Sequence, residues 1–386
     1  MTRLQRIYLL SPAHPLRGGI ASSSERLAQE LSLQGYQVTV ISYSLQYPDF
    51  LFPGKTQYTS DPAPEGVQIR TLINAVNPLN WWQVGRLLAL EKPDLIVVRY
   101  WLPLMGPCLG TILRLARRNG HTRAIALADN IIPHEKRPGD TLFTSYFCGA
   151  VDAFIAMSQT VANDIAYFAP QKPTRYIPHP LYDNYGDKVA RTEALQHLQL
   201  DAQPRYLLFF GFIRDYKGLD LLFDAMADPR LAAFNIKLII AGEFYGNEEA
   251  YKQQIDRLGI RDKLVMRTDF IPHETVRYYF GAADLVVQPY KSATQSGISQ
   301  LAYHFDKPMV VTRVGGLPEI VPHGEAGYVV DTSAAAIADA ILDFYQHQRG
   351  PQLTQGVQKG KQRFSWDNMA KGISDLYFML TSTKKR

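Results

Sequence analysis

Four short stretches of this sequence bring together the residue types that grip phosphate. In residues 211–218 (GFIRDYKG), Lys217 stands against Gly218, Arg214 precedes it by three positions, and Gly211 opens the loop. An ammonium in such a place can sit beside a diphosphate, and a guanidinium adds a two-pronged donor. The spacing differs from that of a nucleoside-triphosphate loop. Residues 290–302 (YKSATQSGISQLA) set Thr294, Gln295, Ser296, Gly297 and Gln300 around an expected helix start. The dipole and the unsatisfied N–H groups of that start suit a diphosphate. Residues 314–319 (VGGLPE) let backbone approach a ligand and end on Glu319. The fourth stretch, residues 11–20 (SPAHPLRGGI), pairs Gly18 with Gly19 just before a helix opening near Ser22. A single such loop is often a plain turn. Three of them in the second half of one chain imply a grip on a pyrophosphate.

The elements that would hold these loops are legible as short apolar runs. Strands are expected at 6–10, 37–43, 67–72, 94–99, 123–128 and 153–157, then at 206–210, 236–241, 264–266, 284–288 and 309–312. Helical periodicity falls between them, at 23–34, 219–227, 248–258 and 274–280. Continuous apolar strands alternating with helices specify parallel sheets covered on both faces. Each half of the chain repeats the scheme, so the expected fold class is α/β, with two doubly wound parallel-sheet domains. The polar stretch 181–204 lacks periodicity and is the expected junction. In open α/β sheets ligands bind at the carboxyl ends of strands, which is where all four loops fall.

Composition narrows the function. At 386 residues two domains are natural, and no apolar run approaches the ~20 residues that span a bilayer. The start lacks a signal-peptide stretch, so a cytoplasmic protein is expected, with a place at the inner face of the membrane open to it. Cys108 and Cys148 form neither a disulfide framework nor a metal pattern, and no metal is expected. Residues 1–190 hold 18 Lys/Arg against 14 Asp/Glu, the remainder 23 against 22. The excess in the first half, with Arg114, Arg117, Arg118 and Arg123 close together, suits an anionic acceptor or membrane contact; the plainer reading is the wet face of a helix. Scattered cations and the lack of a reader motif argue against nucleic acid.

On these motifs the chain resembles the retaining glycosyltransferases of family 4 (group 1), over almost its whole length. The resemblance rests on Gly18, Gly19 and Ile20, on 217–222 (KGLDLL), 241–243 (AGE), 282–284 (AAD), 307–311 (KPMVV) and 314–321 (VGGLPEIV), with 364–370 (FSWDNMA) like the family's closing helix. It implies the GT-B fold, two Rossmann-like domains facing a central cleft: 1–182 for the acceptor, 205–364 for the nucleotide-sugar donor, and 365–386 crossing back to the first. It implies transfer of a hexose from a UDP- or GDP-sugar to a glycan or lipid-linked saccharide with retained configuration, in bacterial surface polysaccharide synthesis, with no cofactor or metal. Lys217 and Arg214 would hold the donor diphosphate, and Glu243 and Glu319 would border the donor. Gly18 and Gly19 would border phosphate and acceptor.

The chain departs from the family where two glutamates are usual. Ala293 and Leu301 stand at those places, or Thr294 and Gln300 with a one-residue shift. Phe212 stands where the phosphate loop usually has Arg. In the first domain, Asp129 occupies the place of a family histidine and His134 that of a second. Asp129 could accept the acceptor's proton or stabilise a cationic sugar centre, and His134 could bind a sugar hydroxyl. Trp81, Trp82 and Trp101 could stack on a sugar, touch lipid or lie in the core. Two other readings remain open at this point: a nucleotide-sugar 2-epimerase of the same fold, and a non-catalytic relative that binds nucleotide sugars.

Overall fold

The computed structural model describes residues 4–47, 57–59, 62–132, 137–246, 248–293 and 296–382. The chain forms two compact units, one of Met1–Pro178 together with Ser365–Arg386, the other of His179–Phe364.

Unit 1 is built on seven strands: β1 (Arg6–Leu10), β2 (Gln37–Leu45), β3 (Gln68–Asn74), β4 (Leu95–Tyr100), β5 (Arg123–Ala128), β6 (Ala153–Ala156) and β7 (Thr174–Tyr176). Their order is β3-β2-β1-β4-β5-β6-β7, and every pair is parallel. Between them run α1 (Gly19–Leu33), α2 (Pro78–Glu91), α3 (Gly106–Ala116), α4 (Asp140–Cys148) and α5 (Gln159–Phe168). Alternate residues of the central strands β1, β4, β5 and β6 enter opposite cores. Tyr8 and Leu10 of β1 join α2 to α5 on one face, while Ile7 and Leu9 join α1 and the closing helix on the other. Asn77 starts α2 by accepting from the N–H groups of Leu79 and Asn80, ahead of Pro78. At Gly85 an added Cβ would lie 2.7 Å from Leu115 Cβ, and at Gly106 only 2.3 Å from the Phe143 carbonyl oxygen, so α2, α3 and α4 form one tight layer.

Unit 2 has β8 (Arg205–Phe210), β9 (Ile236–Ala241), β10 (Leu264–Arg267), β11 (Leu285–Gln288), β12 (Met309–Thr312) and β13 (Gly327–Val330), in the parallel order β10-β9-β8-β11-β12-β13. Its helices are α6 (Arg191–Leu198), α7 (Leu219–Met226), α8 (Glu248–Leu258), α9 (Val276–Ala282), α10 (Gly297–His304), α11 (Leu317–Ile320), α12 (Ala334–Gln346) and α13 (Gly350–Gly360). The last helix, α14 (Trp366–Ser382), returns to unit 1 and buries Trp366, Met369, Ile373 and Tyr377 there. Both sheets reverse their strand order at the first strand, between β1 and β4 and between β8 and β11. That reversal opens the crevice in which doubly wound sheets bind ligands.

Three expectations need correction. The stretch 181–204 is not a linker: it carries α6, and Tyr182, Ala194, Leu195 and Leu198 lie in the core of unit 2. The division falls instead after Pro178. Its polar residues conceal a helix of only eight residues, too short to show a period. Edge strands β7 and β13, three and four residues long, escaped notice for the same reason. Finally, α1 begins at Gly19, four residues before the expected start, because Gly18 at φ 115° supplies the turn into it.

Candidate active site

The switch point of unit 2 is flanked by the β8–α7 and β11–α10 loops, which are joined to each other. Gly218 adopts φ 68°, and a Cβ there would lie 2.0 Å from the Pro289 carbonyl oxygen, so only glycine permits the approach. The Lys291 N–H donates to the Tyr216 carbonyl at 2.7 Å, and its Nζ lies 2.9 Å from Asp215 and 3.0 Å from Asp220.

Within this frame Lys217 is buried, which is unusual for an ammonium. A Cβ on Gly211 would stand 3.1 Å from Lys217 Nζ and 3.3 Å from Ile298 Cδ1, which sets the amine against the first turn of α10. Nζ also lies 5.8 Å from the centre of the Tyr290 ring. Among the described residues no carboxylate pairs with it. Burial, with Arg214 nearby as a second cause, pulls its pKa from 10.5 down to about 7. Arg214 is half-buried with its guanidinium 5.3 Å above the Tyr245 ring, and Phe212 packs on the same ring.

The first turn of α10 is set by hydroxyls and an amide. Ser296 caps the helix by accepting from the Ile298 N–H at 3.2 Å. Its Oγ donates to Gln288 Oε1 at 2.6 Å, and Ser299 Oγ donates to the same oxygen at 3.1 Å. Thr312 Oγ1 donates to the Tyr290 carbonyl at 2.5 Å, which ties in the end of β12. Burial pushes the Tyr290 hydroxyl far above its ordinary pKa, so it stays neutral. Tyr182 lies across the turn, and a Cβ on Gly297 would meet its ring at 2.5 Å.

Gln300, on the same helix, is fully buried, and neither its amide nitrogen nor its oxygen has a partner among the described residues. An unmet buried amide costs about 1–3 kcal/mol. Gln300→Leu should therefore raise the unfolding midpoint of the free protein while weakening the stabilisation given by UDP. Thermal unfolding with and without UDP checks both, and equal gains in the two conditions would remove Gln300 from the ligand's surroundings.

The remaining expected residues fall into separate groups. Glu243 is buried just past β9, and its carbonyl accepts from Ile213 N–H at 2.8 Å. Glu319 lies half-buried in α11, with its carbonyl held by Arg363 at 2.7 Å. Thr294, Gln295 and His134 lie outside the described residues. The structure thus gathers Gly211, Lys217, Ser296 and Gly297 at one point, with Arg214 close enough to affect the Lys217 charge.

In unit 1, Gly18 caps α1 and Gly19 is its first residue. The preceding loop is pinned by Ser11 Oγ and Ser24 Oγ at 2.6 Å and by the His14 N–H on Glu25 Oε1 at 2.6 Å. Burial raises the Glu25 pKa. Asp129 is committed to Arg99: Nε donates to Oδ2 at 2.6 Å and Nη2 to Oδ1 at 2.7 Å, with Arg99 2% exposed. Both carboxylate oxygens accept from that guanidinium, an arrangement that holds Arg99 in place. Arg114 is half-buried: it stacks 3.8 Å from the Tyr146 ring centre and donates to the Tyr146 carbonyl, while Arg118 is exposed. Trp81 and Trp101 are half-buried against the core, with indole N–H groups on the Asn74 carbonyl and the Tyr47 hydroxyl, whereas Trp82 is exposed. Cys108 and Cys148 are buried free thiols, each pushed by burial to about 12.

Sequence reading missed Arg99, Glu25, Tyr182 and Tyr290. Two hollows of about 800 and 600 Å³ in unit 2 include neither Lys217 nor Gly297. In the larger, Lys307 donates to the Ala283 carbonyl at 2.9 Å, Arg191 to that of Pro204 at 2.9 Å, and Lys188 pairs with Asp306. Those cations are already spent on the protein, whereas Lys217 is not.

Comparison with known proteins agrees with this fold. The family described as Glycosyltransferase Family 4 matches residues 17–182, and that described as Glycosyl transferases group 1 matches residues 204–347. A D-inositol 3-phosphate glycosyltransferase of Segniliparus rotundus is 32% identical over 307 residues, which cover 74% of this chain and 66% of that protein. An uncharacterised glycosyltransferase of Methanocaldococcus jannaschii is 23% identical, over 96% of this chain and 97% of its own length. Among solved structures, sucrose-phosphate synthase from Thermosynechococcus elongatus superposes with a TM-score of 0.75 at 18% identity, over 98% of this chain and 100% of that one. Anabaena HepE in complex with UDP-glucose gives 0.70 at 18% identity, with the same coverage.

Proposed function

Because the chain belongs to the group 1 (family 4) glycosyltransferases of GT-B fold, we propose that it moves a hexose from a UDP- or GDP-sugar to a glycan or lipid-linked saccharide. We assign the donor to unit 2, the acceptor to unit 1, and the reaction to retention of configuration without a metal, in bacterial surface polysaccharide synthesis. The observation that carries this reading is Lys217, a buried amine at a helix start with no protein carboxylate for a partner among the described residues. A diphosphate supplies the missing negative charge. As the glycosidic bond breaks, charge grows on the leaving diphosphate, and donors already aimed there lower the barrier. Lys217, Arg214 and the N–H groups opening α10 are those donors. The solved HepE complex with UDP-glucose supports a uridine nucleotide as the first to try.

The test is incubation of the full chain with UDP- and GDP-hexoses and a range of saccharide acceptors. Release of nucleoside diphosphate with a product of unchanged anomeric configuration supports the reading. Sugar interconversion, or binding without turnover, overturns it.

The Lys217 pKa gives a pH dependence. In the free protein the folded-state value is depressed to about 7, while the unfolded chain keeps 10.5. Between these values the unfolded chain binds more protons, so stability rises with pH across that window. A bound diphosphate restores the ammonium, so binding takes up a proton above about pH 7. UDP affinity should then fall by about tenfold per pH unit above that point. Calorimetric titration from pH ~6 to ~9 measures it; Lys217→Arg should flatten the slope, and a flat profile in the parent protein would refute the assignment.

A further inference from the structure

Exposed large apolar side chains are distributed unevenly: of 14 among the described residues, 13 lie in unit 1 and only Phe270 in unit 2. Three of them form a stripe on α2. Leu79, Trp82 and Leu90 are 74%, 49% and 76% exposed, at the spacing that places residues on one helical face, and Arg86 stands between them. The Arg86 guanidinium lies 4.7 Å from the centre of the Trp82 ring. The adjoining helices continue the pattern. Arg114 of α3 stacks on Tyr146 of α4, Leu142 of α4 is 69% exposed, and Arg118 is exposed just beyond α3.

The layer is continuous, because glycines bring α3 against both neighbours. No exposed position on α2, α3 or α4 carries a carboxylate: Glu91 is occupied by Arg70, and Asp140 is half-buried. A solvated helix face ordinarily mixes charges of both signs and keeps leucine and tryptophan inside. This one joins leucines, a tryptophan and a tyrosine to cations alone.

We infer that the outer face of α2–α4 docks on an anionic lipid bilayer. The leucines enter the acyl boundary, Trp82 and Tyr146 settle at headgroup depth, and Arg86 and Arg118 meet lipid phosphates. Among the described residues no helix is long and apolar enough to cross a membrane, so this contact is interfacial. A second copy of the chain suits the face less well, since two all-cationic surfaces repel. The inference stands on the surface of unit 1 alone and is tested without a sugar donor.

The full chain is sedimented with vesicles of phosphatidylcholine, pure or containing phosphatidylglycerol. Partitioning onto the anionic vesicles should exceed that onto neutral ones by at least ~10-fold, and Arg86→Gln with Arg118→Gln should lower it about fivefold per site. Leu79→Ser, Trp82→Ser and Leu90→Ser together should abolish it, with an unchanged melting temperature because all three are exposed. Should the triple variant fail to fold, the charge pair alone decides. Equal partitioning onto both vesicles, or no response to either set, overturns the inference. So does a dimer of the parent chain that the triple variant dissociates, since the face would then join two copies.

Discussion

Lys217→Ala is expected to lower kcat/KM for the sugar donor by roughly 10²–10³-fold, the loss that follows removal of one preorganised charge donor. The loss should appear mainly in kcat, because the charge that Lys217 meets is largest when the bond to the diphosphate is breaking. Packing is a separate matter, since the side chain is buried against Ile298 and Tyr290. Lys217→Met keeps that volume and should lose activity to the same extent while gaining stability, because a buried amine without a counter-ion is costly. Steady-state kinetics and thermal unfolding of both variants separate the effects. If Lys217→Met keeps near-normal turnover, the ammonium does not face the reacting diphosphate.

Asp129→Ala should cost about 3–5 kcal/mol of stability, the usual loss when one partner of a buried ion pair is removed. Arg99 cannot escape by losing its proton, so the guanidinium would stay charged and buried on β4. Replacing both by leucine should recover much of that loss. Asp129→Asn discriminates between positioning and proton transfer. If Asp129 serves only to hold Arg99, the variant should be unstable but active in proportion to the folded fraction. Full stability with turnover abolished would make Asp129 the base. Chemical denaturation and turnover on the same preparations decide.

The sheets were legible because parallel strands buried on both faces leave continuous apolar runs, such as Leu95–Tyr100 in β4. The helix at 191–198 was not, since its apolar residues sit in a polar eight-residue segment with no room for a repeating pattern. At the site, Lys217 and Gly297 stood out by residue type and neighbours along the chain. Tyr182 and Tyr290 did not, because an aromatic that covers a helix start reads in sequence like any core tyrosine. The Arg99–Asp129 pair joins two strands 30 positions apart, and only the parallel register of β4 and β5 brings them together. The corrected junction at Pro178 follows the same logic: long-range packing, not local composition, decides where one unit ends.

The return of α14 to unit 1 has a consequence for synthesis of the protein. A ribosome delivers residues 1–178 first, yet the core that Trp366, Met369, Ile373 and Tyr377 complete must wait for residues 366–377. His179–Phe364 is whole by then, with its two ends already tied by the Leu181 N–H on the Phe364 carbonyl at 3.0 Å. The later-translated unit is thus free to mature first, and the earlier one stays open until residues 366–377 have emerged. Messages cut short before codon 366 should yield a soundly folded second half attached to an unfinished, protease-sensitive first.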